Sequence, residues 1–474
     1  MRHSTLMSAA EQLSGVDRAW LLMERPTNPM IIVGLMVLGG VLDCARLRSL
    51  IAERFLAFDR FRCVPVADRV GASWVRSMRF DIDDHVLRVA LPESAGQHEL
   101  EALVGELAST PLNPGRPLWT FHLVERFGSG SAIIVRIHHC YADGIALVQV
   151  LLSLAGGPPG AGAARAAWPD QSLPDTIGVE SAAGFLPEVI SRVLREGSDL
   201  LEKGLHYALH PLDTQTVVRD GLKLAGELAH IATLSDDPPT RLKQPLSGFR
   251  RVAWADPISL EEVKTIGHVL GCTVNDVLVS SLAGALGRYL ESQGDKVTGV
   301  TIRATVPVNM RPPGDLQPAL GNRFGLVFVE LPIGIRHPLE RLYAVHAVMQ
   351  KLKSSPQALV VLGLLSAIGN LPAAVEPAIA LFSAKASLVA SNLPGPATAL
   401  HICGVPVSHL LFWVPQSGSI GTGVSMLAYR GQVQFGVIAD RQLVPKPAEL
   451  VDLIVTEFER LVFLILLGAG SLGE

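Results

Sequence analysis

Ala132-Ile133-Ile134-Val135-Arg136-Ile137-His138-His139-Cys140-Tyr141-Ala142-Asp143-Gly144 joins an apolar, β-branched run to a segment, Ile145 to Leu154, with helical spacing. It reads as a strand, a turn and a helix, a junction where functional groups often sit. Alternate side chains of a strand share a face, so Ile133, Val135, Ile137 and His139 fall together while Ile134, Arg136 and His138 point the other way. The two histidines cannot serve one site if the strand persists that far. His139 belongs to the apolar face, where a base with an ordinary imidazole pKa of about 6.5 suits proton transfer at neutral pH. His139 is therefore the expected catalytic base. Asp143, directly before Gly144 and the helix, has the position of a helix cap or of an ion pair that fixes the turn, with Arg136 or an arginine from elsewhere as its partner. A bare His-His pair is more often a surface accident or a satisfied turn. Adjacent histidines also point apart, and no third residue stands at zinc-ligand spacing, so no metal is expected. The full HHxxxDG pattern between strand and helix is much more specific than its histidines alone.

Outward from this stretch, the elements are mixed α/β throughout. Ser14-Gly15-Val16-Asp17 opens a helix through Trp20 and Leu22. A buried strand starts at Met30, a helix spans Cys44 to Phe55, strands follow around Trp74 to Phe80, a helix covers Gln97 to Leu107 and a strand runs Thr120 to Glu125. The Gly- and Pro-rich composition from Gly156 to about Ile177 marks a linker, and Leu186 to Leu234 has the spacing of crossover helices. A second unit starts near Pro245, with a strand Arg251–Trp254, a helix Leu260–Leu270, and strands at Val300–Val306, Phe324–Leu331, Leu388–Ser391 and Leu410–Val414. A hairpin pairs Val424–Tyr429 with Gln432–Ala439 across Arg430-Gly431, and a final amphipathic helix opens at Pro447. The expected division is 1–155, a linker and crossover region 156–244, and 245–474.

A chain of 474 residues is too long for one ordinary core, which suits two domains of roughly 200 residues each. Forty Lys and Arg against 44 Asp and Glu leave a net charge of -4 and give no reason to expect nucleic acid as a partner. Five scattered cysteines without a CxxC pair favour reduced thiols in a cytoplasmic compartment. The apolar run from Met30 follows Asp17, Arg18, Glu24 and Arg25 and lacks a cleavage signature, so it does not read as a signal peptide. Ala358 to Gly369 and Leu461 to Gly470 are too short to span a bilayer, and they suit either a core or a lipid interface.

Further motifs recur in order along the chain: Leu22-Met23-Glu24-Arg25-Pro26, Pro117-Leu118-Trp119, Thr273-Val274-Asn275-Asp276-Val277, Val306-Pro307-Val308-Asn309-Met310-Arg311, Gly321-Asn322-Arg323-Phe324-Gly325, Ser391-Asn392-Leu393-Pro394-Gly395-Pro396, and Ala439-Asp440-Arg441 to Pro445. With HHxxxDG, this series resembles the bifunctional wax ester synthase/diacylglycerol acyltransferase family. That family lies within the CoA-dependent acyltransferase superfamily, which also holds the condensation domains of peptide synthetases. The resemblance implies two halves related to chloramphenicol acetyltransferase, each a mixed sheet with flanking helices, and a reaction at their interface. It implies His139 as the base that deprotonates a diacylglycerol or fatty alcohol for attack on acyl-CoA, which is a co-substrate, with no cofactor. His138 has a positioning role at most, and Asp143 with Gly144 shapes the turn. Asn275 orients the acceptor or stabilises the oxyanion, beside Asp276, which has capping-box spacing to Thr273. Cys140 and Tyr141 occupy variable positions and are not nucleophiles. Gly321–Gly325, Pro117–Trp119 and Ser391–Pro396 read as structural. Arg241, Lys243, Arg250 and Arg251 form either a solvated face or a group for CoA phosphates. The expected location is cytoplasmic, peripheral at the inner membrane face or on lipid inclusions. Two other readings are an amide-forming condensation enzyme, which would need carrier partners that the chain does not contain, and a non-catalytic protein that coats lipid or binds acyl-CoA.

Overall fold

The computed structural model describes residues 11–67, 71–155, 226–311 and 320–471. The expected linker from Gly156 to about Ile177 and most of the Leu186–Leu234 segment lie outside the described residues, and residues 226–233 are helical. The opening strand runs Gly130–His138, and every residue of it is buried. Burial on both faces accounts for an almost continuously apolar run instead of an alternating one. It pairs with Ile31–Leu38 on one side and Trp119–Phe127 on the other. Val86–Val89 forms one edge of this six-stranded sheet, and Val405–Trp413 followed by His401–Ile402 forms the other.

The second sheet runs in the order Phe324–Leu331, Ile302–Asn309, Leu388–Pro394, Thr422–Tyr429, Gln432–Asp440, Arg250–Trp254, and Ile258–Ser259 also pairs with Gln432–Asp440. Both sheets are mixed. Val86–Val89 lies parallel to Trp119–Phe127, and Leu388–Pro394 lies parallel to both of its neighbours. The expected hairpin forms in register, Tyr429 opposite Gln432, because Arg430 and Gly431 both take positive φ, 53° and 75°. That is the type I′ turn whose twist matches the flanking strands. Two shorter elements differ from expectation. The helix expected to Phe55 is α-helical from Cys44 to Leu50 and widens into a π turn over Ile51–Phe55. The strand expected around Trp74 to Phe80 spans Ala72–Arg76, in a small sheet with Glu11–Gln12 and Cys63–Ala67.

The two halves are interleaved. Val405–Trp413 comes late in the chain yet pairs with Ile31–Leu38, from Val407 opposite Leu38 to Trp413 opposite Val33, so residues 401–413 of the second half complete the first sheet. In return, the helix Gln97–Ser109 packs on the second sheet's Arg250–Trp254, where Gln97 Nε2 donates to the Trp254 carbonyl. One apolar core contains residues of both halves, among them Ile137, Trp20, Phe324, Val389 and Leu427, while a second lies between the other sheet and its helices.

A third tie brings the first helix to the site. Gly15–Met23 starts at Ser14, whose hydroxyl accepts from the Asp17 N–H, and it packs against Gln357–Asn370. The crossing is so close that a Cβ on Gly369 would stand 1.7 Å from the Gly15 carbonyl oxygen and 3.0 Å from the Ala19 nitrogen. The Ala358–Gly369 run is therefore a core helix. Only backbone separates the two helices there, and the same helix carries Asp17 and Trp20 to the site. Gly369→Val should force them apart, with an overpacking cost of at least about 1–3 kcal/mol. We expect a lower midpoint in thermal unfolding together with reduced activity; an unchanged midpoint would show that this crossing tolerates a side chain.

Candidate active site

The chain leaves the first sheet at His138, which stands opposite Ile31, and the His139 N–H then donates to the Met30 carbonyl at 2.7 Å. The two histidines part here, as the strand parity requires. His138 is fully buried, its Nε2 lies 2.6 Å from Glu24 Oε2, and its Nδ1 accepts from the Cys140 N–H at 3.1 Å. Nε2 must then carry the proton that Glu24 accepts, and both ring nitrogens are committed to neighbours. Tyr141 donates its hydroxyl to the Cys63 carbonyl at 2.6 Å and accepts from the Leu118 N–H at 3.0 Å. Burial pushes the Cys140 thiol and the Tyr141 phenol well above their usual ranges. Neither is an activated nucleophile. The Pro117-Leu118-Trp119 motif holds the turn from below, since the Leu118 carbonyl also accepts from the His138 N–H at 2.9 Å.

Asp143 caps the helix Gly144–Leu154, with Oδ1 accepting from the Ala146 N–H at 3.0 Å. Its Oδ2 accepts from Arg311 at 2.7 Å and from the Arg323 N–H at 2.9 Å. Arg311 also donates to the Gly321 carbonyl at 3.0 Å. Arg136 is therefore not the partner. It donates instead to the Thr110 carbonyl, where the helix Gln97–Ser109 presents the negative end of its dipole, and burial lowers its pKa to about 10. Asn322 reaches the other side of the turn, donating from Nδ2 to the His139 carbonyl and to Asp17 Oδ1, both at 2.8 Å. Arg311, together with Asn322 and Arg323 of the Gly321–Gly325 stretch that was expected to be structural, thus holds the reactive turn from the opposite half.

His139 itself is 4% exposed. Its ring stacks on Trp20, with centroids 4.0 Å apart and planes at 13°, and Phe324 stands 5.5 Å away. It lines a pocket of about 820 Å³, open mouth included, whose walls come from both halves: Trp20, Asp143, Gly144 and Ile145 on one side, and Thr305, Pro307, Asn309, Phe324, Leu326, Val389, Ser391 and Leu393 on the other. Phe382, Val414, Pro415, Ser417 and Ile420 complete it. Nδ1 is closed off and has no hydrogen-bond partner, so the ring edge that the pocket can reach carries Nε2. Burial lowers the imidazole pKa to about 4, which Asp143 offsets only in part. The ring is neutral at pH 7, the form that can accept a proton.

The remaining expected residues fall in different places. Asp276 belongs to a capping box with Thr273 and also accepts from His346 Nδ1 at 2.7 Å. Among the described residues Cys272, Asp276 and His346 converge closely enough to suggest metal ligands, but the Asp276–His346 bond already occupies two of the three. Asn275 does not line the pocket. Its carboxamide oxygen accepts from Asn392, which points away from the pocket that its strand neighbours Ser391 and Leu393 line. Strand alternation places Asn392, and Asn275 with it, on the face opposite Ser391 and Leu393, so the acceptor or oxyanion role expected of Asn275 is not supported by the pocket lining. The basic group does not form one face: Arg250 is buried, Arg241 and Lys243 are half-buried, and Arg251 is exposed. Arg250 is buried against Asn28 and Gln416, Lys243 donates to the Ala386 carbonyl at 2.9 Å, and Arg241 and Arg251 bond to Leu443 and Pro445.

Removing one partner of a buried ion pair costs about 3–5 kcal/mol, because the other charge is left uncompensated. With side chains only 9% and 5% exposed, Arg311 and Asp143 meet that condition. Arg311→Met should therefore cut both turnover and the urea midpoint, whereas the exposed Arg76→Met should do neither; equal behaviour of the two variants would remove the ion pair from the site.

The wax ester synthase/diacylglycerol acyltransferase catalytic domain matches residues 13–278, more than half of the chain, and the C-terminal domain of the same family matches residues 320–462. Relatives that carry the name diacylglycerol O-acyltransferase include one from Mycobacterium tuberculosis that is 28% identical over 87% of each chain. Another from the same organism is 29% identical over 97% of this chain and 92% of its own. Among solved structures, the wax ester synthase/diacylglycerol acyltransferase of Marinobacter aquaeolei VT8 superposes with a TM-score of 0.65 at 21% identity, covering 95% of this chain and 98% of that one. The first condensation domain of the calcium-dependent antibiotic synthetase gives 0.59 at 13% identity, over 96% of both chains. The two structures share the two-half fold of condensation and acyltransferase domains. By sequence, the chain belongs to the wax ester synthase/diacylglycerol acyltransferase family.

Proposed function

We propose that this chain transfers a long-chain acyl group from acyl-CoA to the hydroxyl of diacylglycerol or a fatty alcohol, with His139 as general base and no cofactor. The observation that carries the reading is a neutral imidazole with one open nitrogen in an apolar pocket between the two halves. Nε2 takes the proton of the acceptor hydroxyl as its oxygen attacks the thioester carbonyl carbon. The C–S bond then breaks and the imidazolium returns the proton to the departing thiolate. No acyl-enzyme is needed. Thr305, Asn309, Ser391 and Ser417, the polar side chains on the pocket wall, rather than Asn275, are then the groups that meet the developing oxyanion. Each methylene enclosed contributes about 0.8 kcal/mol, which suits a wall of Trp20, Phe324, Leu326, Phe382 and Ile420 to acyl or alkyl chains.

The test is CoA release from long-chain acyl-CoA with each acceptor in competition, read by product chromatography. His139→Ala should abolish it. In the wild-type protein, kcat/KM should be nearly flat from pH 7 to 5 and fall as pH drops through about 4, because only below that pH does the folded imidazole hold a proton. Turnover in the alanine variant, or an acid limb at pH 6.5, would overturn the assignment.

We further propose a peripheral position on the cytoplasmic membrane face or on lipid inclusions. The final helix Pro447–Ser471 buries Leu450, Val451, Ile454, Phe458 and Leu461, yet its last turns leave Phe463, Leu466 and Leu467 61%, 65% and 58% exposed. Their spacing puts these three on one face, and burying each in lipid is worth about 1.5–3 kcal/mol. Phe463→Glu with Leu467→Glu should abolish co-sedimentation with phospholipid vesicles and spare hydrolysis-independent CoA release from soluble substrates. Unchanged co-sedimentation would rule out this helix end as the contact.

A further inference from the structure

The face of the second sheet that lines the pocket is built in steps. Phe324, Leu326 and Phe328 share one face of their strand, and Asn309, Pro307 and Thr305 stand opposite them, in that order, on the next. Phe324 lies beside His139, with ring centroids 5.5 Å apart, so each later pair is one step farther from the reactive ring. Exposure falls along the same line: Asn309 is exposed, Pro307 is half-buried and Thr305 is buried. The pocket therefore opens at the His139 end and is blind at the Thr305 end. At about 3.3 Å of rise per residue, the four steps from Asn309 to Thr305 make an arm about 13 Å deep.

What closes the arm is Phe382. Phe328 has the inward phase of its strand yet does not line the pocket, whereas Phe382, from the helix Val375–Ala384, does. The two rings stack with centroids 5.9 Å apart and planes at 17°, so Phe382 covers Phe328. Val389, paired with Thr305, stands at the same end. This floor also takes in Thr305 itself, whose hydroxyl donates to the Leu388 carbonyl at 3.4 Å, which leaves Asn309, Ser391 and Ser417 for the oxyanion. The end of the helix that carries Phe382 is clamped. Lys243 donates to the Ser383 carbonyl and, at 2.9 Å, to that of Ala386, and the Asp237 N–H donates to the Ala384 carbonyl at 2.9 Å. Gly418, with φ at 60°, comes so near that a Cβ on it would stand 2.6 Å from Ser383 Cβ, and the Ser419 hydroxyl donates to the Ser383 carbonyl at 3.3 Å. A wall held in this way measures length; a loose one would yield.

We propose that Phe382 sets the length of the acyl chain that this protein accepts, as the floor of an arm that takes the chain tail-first from the thioester at His139. The proposal rests on the acyl-transfer reading above and names the substrate that fills the pocket. A blind arm can measure only a chain whose other end is fixed at the reacting atoms. The acyl chain meets that condition with either acceptor, whereas diacylglycerol carries two chains that diverge from a glycerol. An extended peptide spans about 3.3–3.6 Å per three main-chain bonds, so a straight chain advances about 1.2 Å per bond and the arm encloses roughly ten carbons. The carbons next to the thioester lie in the mouth.

The experiment measures kcat/KM of the full-length protein for saturated acyl-CoA from octanoyl to eicosanoyl with one acceptor, and then for alcohols of each length with one acyl-CoA. Each methylene that gains or loses its contact changes kcat/KM about fourfold. Phe382→Ala should therefore raise kcat/KM for a chain one two-carbon step above the wild-type optimum, relative to that optimum, roughly 10-fold. Val389→Phe should move the optimum to shorter acyl chains. An unchanged ratio in Phe382→Ala overturns the proposal, as does a shift confined to the preferred alcohol. If Phe382→Ala does not fold, Phe382→Leu is read for the same shift. Affinity for unreactive acyl-CoA thioethers of the same lengths separates the two claims: if no acceptor supports CoA release, the transfer reading fails, and the length dependence of binding still decides whether Phe382 is the floor.

Discussion

Asp143 sits 3% exposed at the junction of the two halves, where a lone carboxylate would be too costly to keep charged, and the cation that pairs with it comes from the other half. Arg311 and the Arg323 N–H close on one oxygen while the cap of the helix Gly144–Leu154 uses the other. The carboxylate therefore does two things with one geometry: it starts the helix after the turn, and it fixes the distance between the His138–Gly144 turn and the second sheet. Because the pocket is lined from both sides of this contact, its shape follows from the ion pair.

The same closure sets the chemistry. Enclosing His139 between Trp20 and Phe324 strips water from the ring and lowers its pKa to about 4, which makes it a weak base in the ground state. A weak base that is always neutral is still useful. It never has to lose a proton before it can act, and in a water-poor pocket the proton that it accepts is not shared with solvent. Asp143, beside the turn, favours the imidazolium that forms during the reaction without being close enough to hold it in the resting state.

Much of this was legible from residue patterns. Strand parity separated His139 from His138 correctly, and the cap position of Asp143 follows from a carboxylate before Gly144. Mixed α/β halves, the Arg430-Gly431 hairpin and the buried face of the last helix also follow from local periodicity. What local periodicity cannot show is pairing between segments far apart in the chain. Residue patterns leave the partner of Asp143 open between Arg136, on the same strand, and an arginine from elsewhere; it is the second, Arg311, 168 residues away. The exchange of Val405–Trp413 into the first sheet leaves no mark on its sequence, since an apolar strand reads alike in either sheet. Asn275 was credited with a site role, but its neighbour in space, Asn392, sits on the outward phase of a strand whose inward residues are Ser391 and Leu393. Asn322 reads only as structural within Gly321–Gly325, because nothing local shows that its carboxamide meets Asp17 and the His139 carbonyl, 305 and 183 residues away.

The central claim is that His139 activates the acceptor directly, without a covalent acyl-enzyme. Rapid-quench measurement of CoA release from acyl-CoA in the absence of any acceptor tests it most directly, with mass spectrometry of the protein at each time point. No burst and no mass increase are predicted, with rapid release only once diacylglycerol or fatty alcohol is added. A burst stoichiometric with enzyme, accompanied by an acyl group on the protein, would contradict it.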